Sequence, residues 1–220
     1  MGNRKDPRTE YIRQVQELQW YDRLTSAFVA FLRPRKGARI LCVQCGSGLL
    51  AVKMAKRGAG VTALDSSLDL VNITAAAAKR ARIRDFQALR GNPLDLPFDA
   101  ESFDLVVAVT LLTGLEEPEA ALAEMARVAA ADGIVATLEP SVEVRSERVL
   151  SFTAKNSLRG FSFKAFQDWC EDAQAGERFS TIELERLYRK AGLAVLRSEE
   201  QMGRLLLATS GVKQPSKRHR

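Results

Sequence analysis

The last two apolar stretches of this chain lie too close together to be parallel neighbours. Residues 193–197 and 204–209 each read as a strand, joined by a tight connection around Gly203. A parallel pair needs a crossover of a dozen or more residues, so these two must pair antiparallel. The chain before them follows another rhythm, short apolar runs separated by helical segments. That alternation is the signature of a parallel sheet covered by helices. Together the two features predict an α/β fold, mostly parallel, with a C-terminal antiparallel hairpin.

Residues 11–32 read as one helix, with Tyr11, Ile12, Val15, Leu18, Leu24, Phe28 and Phe31 near the 3.6 period and Pro34 ending it. Strands are expected at 39–43, 61–65, 86–90, 103–109 and 134–139. A helix over 49–57 stops at Gly58, and a second opens at Ser66 with Asp69 as its capping-box partner. Pro118 begins the next, with Glu116 and Glu117 at the positive end of its dipole. Asp132-Gly133 is read as the turn into the fifth strand. Ser180 and Glu183 form another capping box, on a helix that Gly192 closes.

The expected organisation is a flexible basic N-terminus at 1–10, a single domain over 11–210, and a basic tail at 211–220. Residues 141–178 break the rhythm and are expected to form helices outside the sheet, an insert on the substrate side.

The net charge of +6 is concentrated at the ends: residues 1–13 carry +2 and residues 211–220 carry +4, leaving a neutral body. That distribution argues against a nucleic-acid partner. No apolar run approaches the ~18 residues of a membrane span, and no apolar stretch follows the charged N-terminus, so a cytoplasmic location is expected. Cys42 and Cys45 make a lone C-x-x-C, and the single histidine is His219. With no second pair and with Cys42 inside an apolar strand, the thiols read as small hydrophobes, not as redox or metal groups.

The first strand runs into Gln44-Cys45-Gly46-Ser47-Gly48 and then directly into a helix. Glycines there let backbone approach a ligand, and the helix start offers unpaired amides. Asp65 ends the second strand, 17 residues after Gly48, where a carboxylate can accept from both hydroxyls of a ribose. NAD and S-adenosylmethionine both carry that ribose, so these features support a nucleoside without choosing between them.

Further on stand Gly91-Asn92-Pro93-Leu94-Asp95-Leu96-Pro97-Phe98, Ser102-Phe103-Asp104, an acidic helix from Glu116 to Arg127, and Asp132-Gly133. With the glycine turn, these segments resemble the class I S-adenosylmethionine-dependent methyltransferases over residues 38–140, especially the ubiquinone and menaquinone methyltransferase group. The resemblance implies a Rossmann-like seven-stranded sheet with helices on both faces. It also implies methyl transfer from S-adenosylmethionine to a small molecule, with S-adenosylhomocysteine as product. By the same resemblance Gln44, Cys45, Gly46, Ser47 and Gly48 would lie against the methionine end and ribose of the cofactor. Asp65 would hold the ribose diol, Ser66 would border the adenine, and Asn92 would bond its amino group. Pro93 or Leu94 would pack on the ring, Val109 and Thr110 would face the sulfonium, and Tyr11 and Tyr21 are candidates to close over the site.

The sequence departs from the family where an acid is usual (Cys42), a glycine is usual (Gln44) and an aspartate is usual (Asn92). The histidine that many relatives place after the fourth strand is also missing from Thr110-Leu111-Leu112-Thr113-Gly114. Glu139, at the end of the fifth strand, is then the first candidate for a general base, with a surface or capping carboxylate as the equal alternative. In the insert, Phe152, Leu158, Phe161, Phe163, Phe166 and Trp169 read either as a pocket wall or as the buried face of its helices. Three rivals remain at this point. A non-catalytic relative that binds the cofactor fits Cys42, Gln44 and the missing histidine. An NAD-dependent oxidoreductase lacks a Tyr-x-x-x-Lys pair, and a nucleic-acid methyltransferase would want a basic body.

Overall fold

The computed structural model describes residues 7–213. Residues 1–6 and 214–220 lie outside it, and with them His219 and much of both basic ends. Seven strands form one sheet in the order β3-β2-β1-β4-β5-β7-β6. In chain order they are β1 (Arg39–Val43), β2 (Gly60–Asp65), β3 (Phe86–Arg90), β4 (Phe103–Val109), β5 (Ala129–Pro140), β6 (Leu193–Gln201) and β7 (Leu206–Lys213). The first five are parallel where they pair. As the spacing of the last two apolar runs requires, β7 is antiparallel to β6, and it lies antiparallel to β5 as well.

Period-two alternation splits the core into two layers. Ile40 and Cys42 of β1 face one cluster, with residues of α2 (Gln19–Leu32), α3 (Leu49–Ala55), α6 (Ser146–Lys155) and α7 (Gly160–Ala175). Leu41 and Val43 face the other, with α5 (Pro118–Val128) and α8 (Thr181–Lys190). Helix α4 (Leu68–Arg80) packs on β2, β3 and α3. The α8 capping box forms as read, with Ser180 Oγ accepting from Glu183 N at 3.3 Å and Glu183 accepting from Ser180 N at 2.8 Å.

Several boundaries differ from the sequence reading: α3 ends at Ala55 and β6 runs on to Gln201, and four further differences bear on the architecture around the site. The single helix over 11–32 is two: α1 (Pro7–Gln16) and α2, separated at Leu18, whose backbone is extended (φ −72°, ψ 147°). Helix α4 is capped by Ser67, not Ser66. The Ser67 amide, which a capping-box acid would accept, goes instead to Asp65 Oδ1 at 3.0 Å. Strand β5 starts at Ala129, and Asp132-Gly133 falls in a bulge opposite the register shift between Phe103 and Leu105. A Cβ at Gly133 would lie 2.7 Å from Ala130 N and 2.9 Å from Phe103 O, so only glycine fits there. Finally, α1 begins at Pro7 and β7 runs to Lys213, so both expected tails are shorter. Their inner residues make backbone bonds within regular elements.

The insert stays outside the sheet as α6 and α7. Its two ends are tied together where β5 stops: Phe179 N donates to Pro140 O at 3.0 Å and Val142 N to Phe179 O at 3.1 Å.

Candidate functional site

The strand order reverses between β1 and β4, and open α/β sheets bind ligands in the crevice at the carboxyl ends of such strands. The chain leaves both strands in the left-handed region without glycine: Gln44 after β1 has φ 53° and Thr110 after β4 has φ 51°. A β-branched residue there is an outlier, and strain of this kind gathers at functional sites. Gln44, where a glycine is usual in the family it resembles, is exposed, so its side chain has room. Gln44→Gly is expected to raise stability by roughly 0.5–1 kcal/mol, because relief of the left-handed penalty outweighs the added chain entropy. A thermal melt in which the glycine variant unfolds earlier than the wild type contradicts that account of the turn.

The glycine turn is braced from three sides. Gly46 (φ 58°) and Gly48 (φ 83°) set its curl. From β2, Asp65 Oδ2 accepts from Gly46 N at 2.9 Å while Oδ1 takes the Ser67 amide. From α4, buried Thr74 donates its hydroxyl to Gly46 O at 2.9 Å. From the end of α1, Gln16 Oε1 accepts from both Ser47 N (2.7 Å) and Ser47 Oγ (2.6 Å). Gln16 Nε2 in turn donates to the Tyr21 hydroxyl at 3.3 Å.

Gln16 and Thr74 were absent from the sequence reading. Thr74 carried a faint signal, a β-branched polar residue heading the run Ala75 to Ala78 in a helix where alanine is favoured. Gln16 carried none, since its role depends on the break after α1.

Gln44, Cys45, Gly46, Ser47, Gly48, Asp65, Tyr21 and Val109 come together at the turn. Gln16, Tyr21, Gln44, Cys45 and Val109 line one small hollow beside it. Thr110 follows directly. Ser66 is exposed at the end of β2, and Asn92, Pro93 and Leu94 follow the end of β3 beside it, where Gly91 N donates to Asp65 O at 3.0 Å. Asn92 is exposed, and its Oδ1 already accepts from Leu94 N at 3.0 Å, which shapes the local turn.

Tyr11 is placed elsewhere. Its hydroxyl donates to Asp168 of α7 at 2.7 Å and its ring meets Phe161 edge-on, so it joins α1 to the insert. Burial and the Asp168 carboxylate push its pKa up to about 12.

Glu139 has a setting unlike that of a base open to substrate. It is fully buried, and its carboxylate accepts from the backbone amides of Leu111 (3.1 Å), Leu112 (3.2 Å) and Thr113 (3.3 Å). Burial pushes its pKa up to about 8 against the pull of those three N–H groups. It orders the segment after β4 that borders the crevice. Thr113 in turn donates to Glu177 O, which fastens the end of the insert to that segment.

Burial drives the Cys42 thiol well up and Cys45 up to about 12, so neither is a thiolate at neutral pH. No group of metal-ligating side chains occurs among the described residues. The insert aromatics divide: Phe166 is buried and stacks on Phe152 and Trp169, and Trp20 of α2 meets Phe166 edge-on. Phe161 is exposed. The Trp20 indole N–H is buried without a hydrogen-bond partner, an expensive state for a donor. Of the basic insert residues, Arg145 and Arg148 pair with Glu143, and Lys164 pairs with Asp168.

Comparison with known proteins agrees with this geometry. Residues 41–137 match the family described as "Methyltransferase domain". A ubiquinone biosynthesis O-methyltransferase of Neisseria meningitidis serogroup C (strain 053442) is 30% identical over 165 residues, 73% of this chain and 65% of that protein. A demethylmenaquinone methyltransferase of Bacillus velezensis is 28% identical over 188 residues, 81% of this chain and 78% of that protein. The chain spans between half and about two thirds of the ubiquinone biosynthesis relatives it matches. A solved SAM-dependent methyltransferase from Aquifex aeolicus shares the fold, with a TM-score of 0.70 at 17% identity over 92% of this chain and 97% of that one.

Proposed function

From a chain whose central domain belongs to the class I S-adenosylmethionine-dependent methyltransferases, we propose a transferase that moves a methyl group to a small aromatic acceptor of quinol type. The observation that carries this reading is the braced glycine turn at the β1/β4 crossing, where Gly46, Ser47, Asp65 and the 91–94 segment converge. The acceptor class is suggested by the relatives' quinone substrates.

The residues present fit the cofactor. Gly46 and Gly48 carry no Cβ at the turn, and the Ser47 amide and hydroxyl, which both donate to Gln16 Oε1, are aimed at one oxygen position. Asp65 keeps lone pairs beyond the two it uses. Ser66, Asn92, Pro93 and Leu94 border the neighbouring strand ends. When bound, the cofactor would supply an electrophilic methyl: the acceptor's lone pair would form the new bond to carbon as the carbon–sulfur pair returns to sulfur, leaving neutral S-adenosylhomocysteine.

The chain's own part is placement and exclusion of water. Val109 and Tyr21 wall the crevice, and the strained Thr110 and the Glu139-ordered segment fix its floor. Alignment of this kind supplies up to ~7–11 kcal/mol of a displacement barrier. Residues 7–213 contain no histidine, and Glu139 is sealed behind three amides. On this reading neither a histidine nor Glu139 serves as base, and a hydroxyl acceptor is deprotonated in solution. With a phenolic acceptor, kcat/KM is expected to rise about tenfold per pH unit toward the acceptor's own pKa of roughly 10. A plateau or bell with a midpoint near neutrality contradicts this and indicates a protein base.

The reading is tested by incubating the protein with methyl-labelled S-adenosylmethionine and a panel of dihydroxy-aromatic compounds. Label in one product, matched by equimolar S-adenosylhomocysteine, is expected. Cofactor binding with no labelled product from any acceptor counts against the aromatic acceptor.

A further inference from the structure

We propose that Gln16 is a built-in occupant of the cofactor's carboxylate position, so that α1 must shift for the cofactor to seat. This rests on the proposed cofactor reading and adds a residue that sets its affinity.

Three observations support it. The two Ser47 donors converge on a single oxygen, Gln16 Oε1, at 2.7 and 2.6 Å. Two hydrogen-bond donors aimed at one oxygen form an oxyanion site, and the amino-acid end of S-adenosylmethionine carries a carboxylate to fill it. Next, the Gln16 side chain lies against bare backbone, since a Cβ at Gly46 would be 2.2 Å from Gln16 Nε2. The face that glycine keeps open is thus covered from within the chain. Third, the hollow left beside Gln16, Tyr21, Gln44 and Val109 measures about 10 Å³, room for one water. A nucleoside ligand needs several hundred Å³. Withdrawal of Gln16 would widen this hollow at the Ser47 end.

The chain is built to let that happen. Gln16 is the last residue of α1, and the extended Leu18 separates it from α2. An uncharged amide oxygen is the weaker partner for Ser47, because hydrogen bonds to a carboxylate are roughly twice as strong. The carboxylate therefore displaces the amide, and the cost of displacing it appears as weakened apparent affinity.

The test uses the full chain and two variants, Gln16→Ala and Gln16→Leu; leucine keeps most of the volume but accepts no hydrogen bond. Calorimetric titration with S-adenosylhomocysteine is expected to show both variants binding about tenfold tighter than wild type, the equivalent of one to two lost competing hydrogen bonds. Independently of any ligand, the Ser47 amide is expected to exchange about tenfold faster in both variants, since its acceptor is gone.

Equal or weaker binding by both variants, with the wild type binding normally, overturns the role of Gln16 and leaves the cofactor reading intact. So does wild-type affinity in Gln16→Leu alone, which would make Gln16 a packing residue, and so does unchanged Ser47 exchange. Absence of binding by all three folded proteins overturns the cofactor reading itself, and the role of Gln16 with it.

Discussion

Asp65→Ala is expected to abolish measurable binding of S-adenosylmethionine and S-adenosylhomocysteine and to lower stability by about 2–4 kcal/mol. The carboxylate is buried and bridges the Gly46 and Ser67 amides, so its removal orphans one donor in the turn and one at the start of α4. Burial holds its pKa above the usual range while the amides of Ser67, Gly46 and Ser66 pull it back. The variant thus removes the proposed cofactor contact and the brace of the site together. Asp65→Asn separates the two effects only in part, because its amino group would face a backbone donor on one side. Chemical denaturation alongside titration of the folded variant checks both halves. A variant that keeps wild-type stability shows that the brace is not structural, and one that keeps wild-type affinity removes Asp65 from the site.

Glu139→Ala is expected to be still more damaging to the fold, by about 3–5 kcal/mol, since three buried amides lose their acceptor at once. Its conservative partner reports on protonation. The folded pKa is raised from 4.5 to about 8. A carboxyl group raised on folding contributes stability in full below its unfolded value and loses it as pH rises through the folded one. Wild-type stability is therefore expected to decline between about pH 4.5 and 8, and Glu139→Gln to flatten that slope. Denaturation midpoints across this range read the difference directly. Identical slopes in the two proteins show that the three amides keep Glu139 ionised throughout.

The sheet was legible because its strands are bounded by strong local signals. β1, β3 and β4 fall on the residues read as apolar runs, and the closing hairpin followed from connection length alone. The site was legible where one residue type has one backbone reason, as at Gly46 and Gly48. It was not legible where a role depends on a contact between distant elements. Gln16 reaches Ser47 across 31 positions, Thr74 reaches Gly46 across 28, and neither is implied by its neighbours. Glu139 shows the converse case. Its place at the end of β5 was read correctly, but a carboxylate at a strand end looks the same in sequence whether it faces a substrate or three backbone amides. Tyr11 is a candidate to close over the site only through the resemblance, and the partner that fixes it, Asp168, lies 157 positions away in the insert. The same applies to the break after α1, which no glycine or proline marks.

The central claim is that this turn holds S-adenosylmethionine, and calorimetric titration of the wild-type chain tests it most directly. Saturable one-to-one binding of S-adenosylmethionine and S-adenosylhomocysteine, with no heat from NAD, is the expected result. Binding of NAD in their place, or no binding of either sulfur compound by a folded protein, contradicts it.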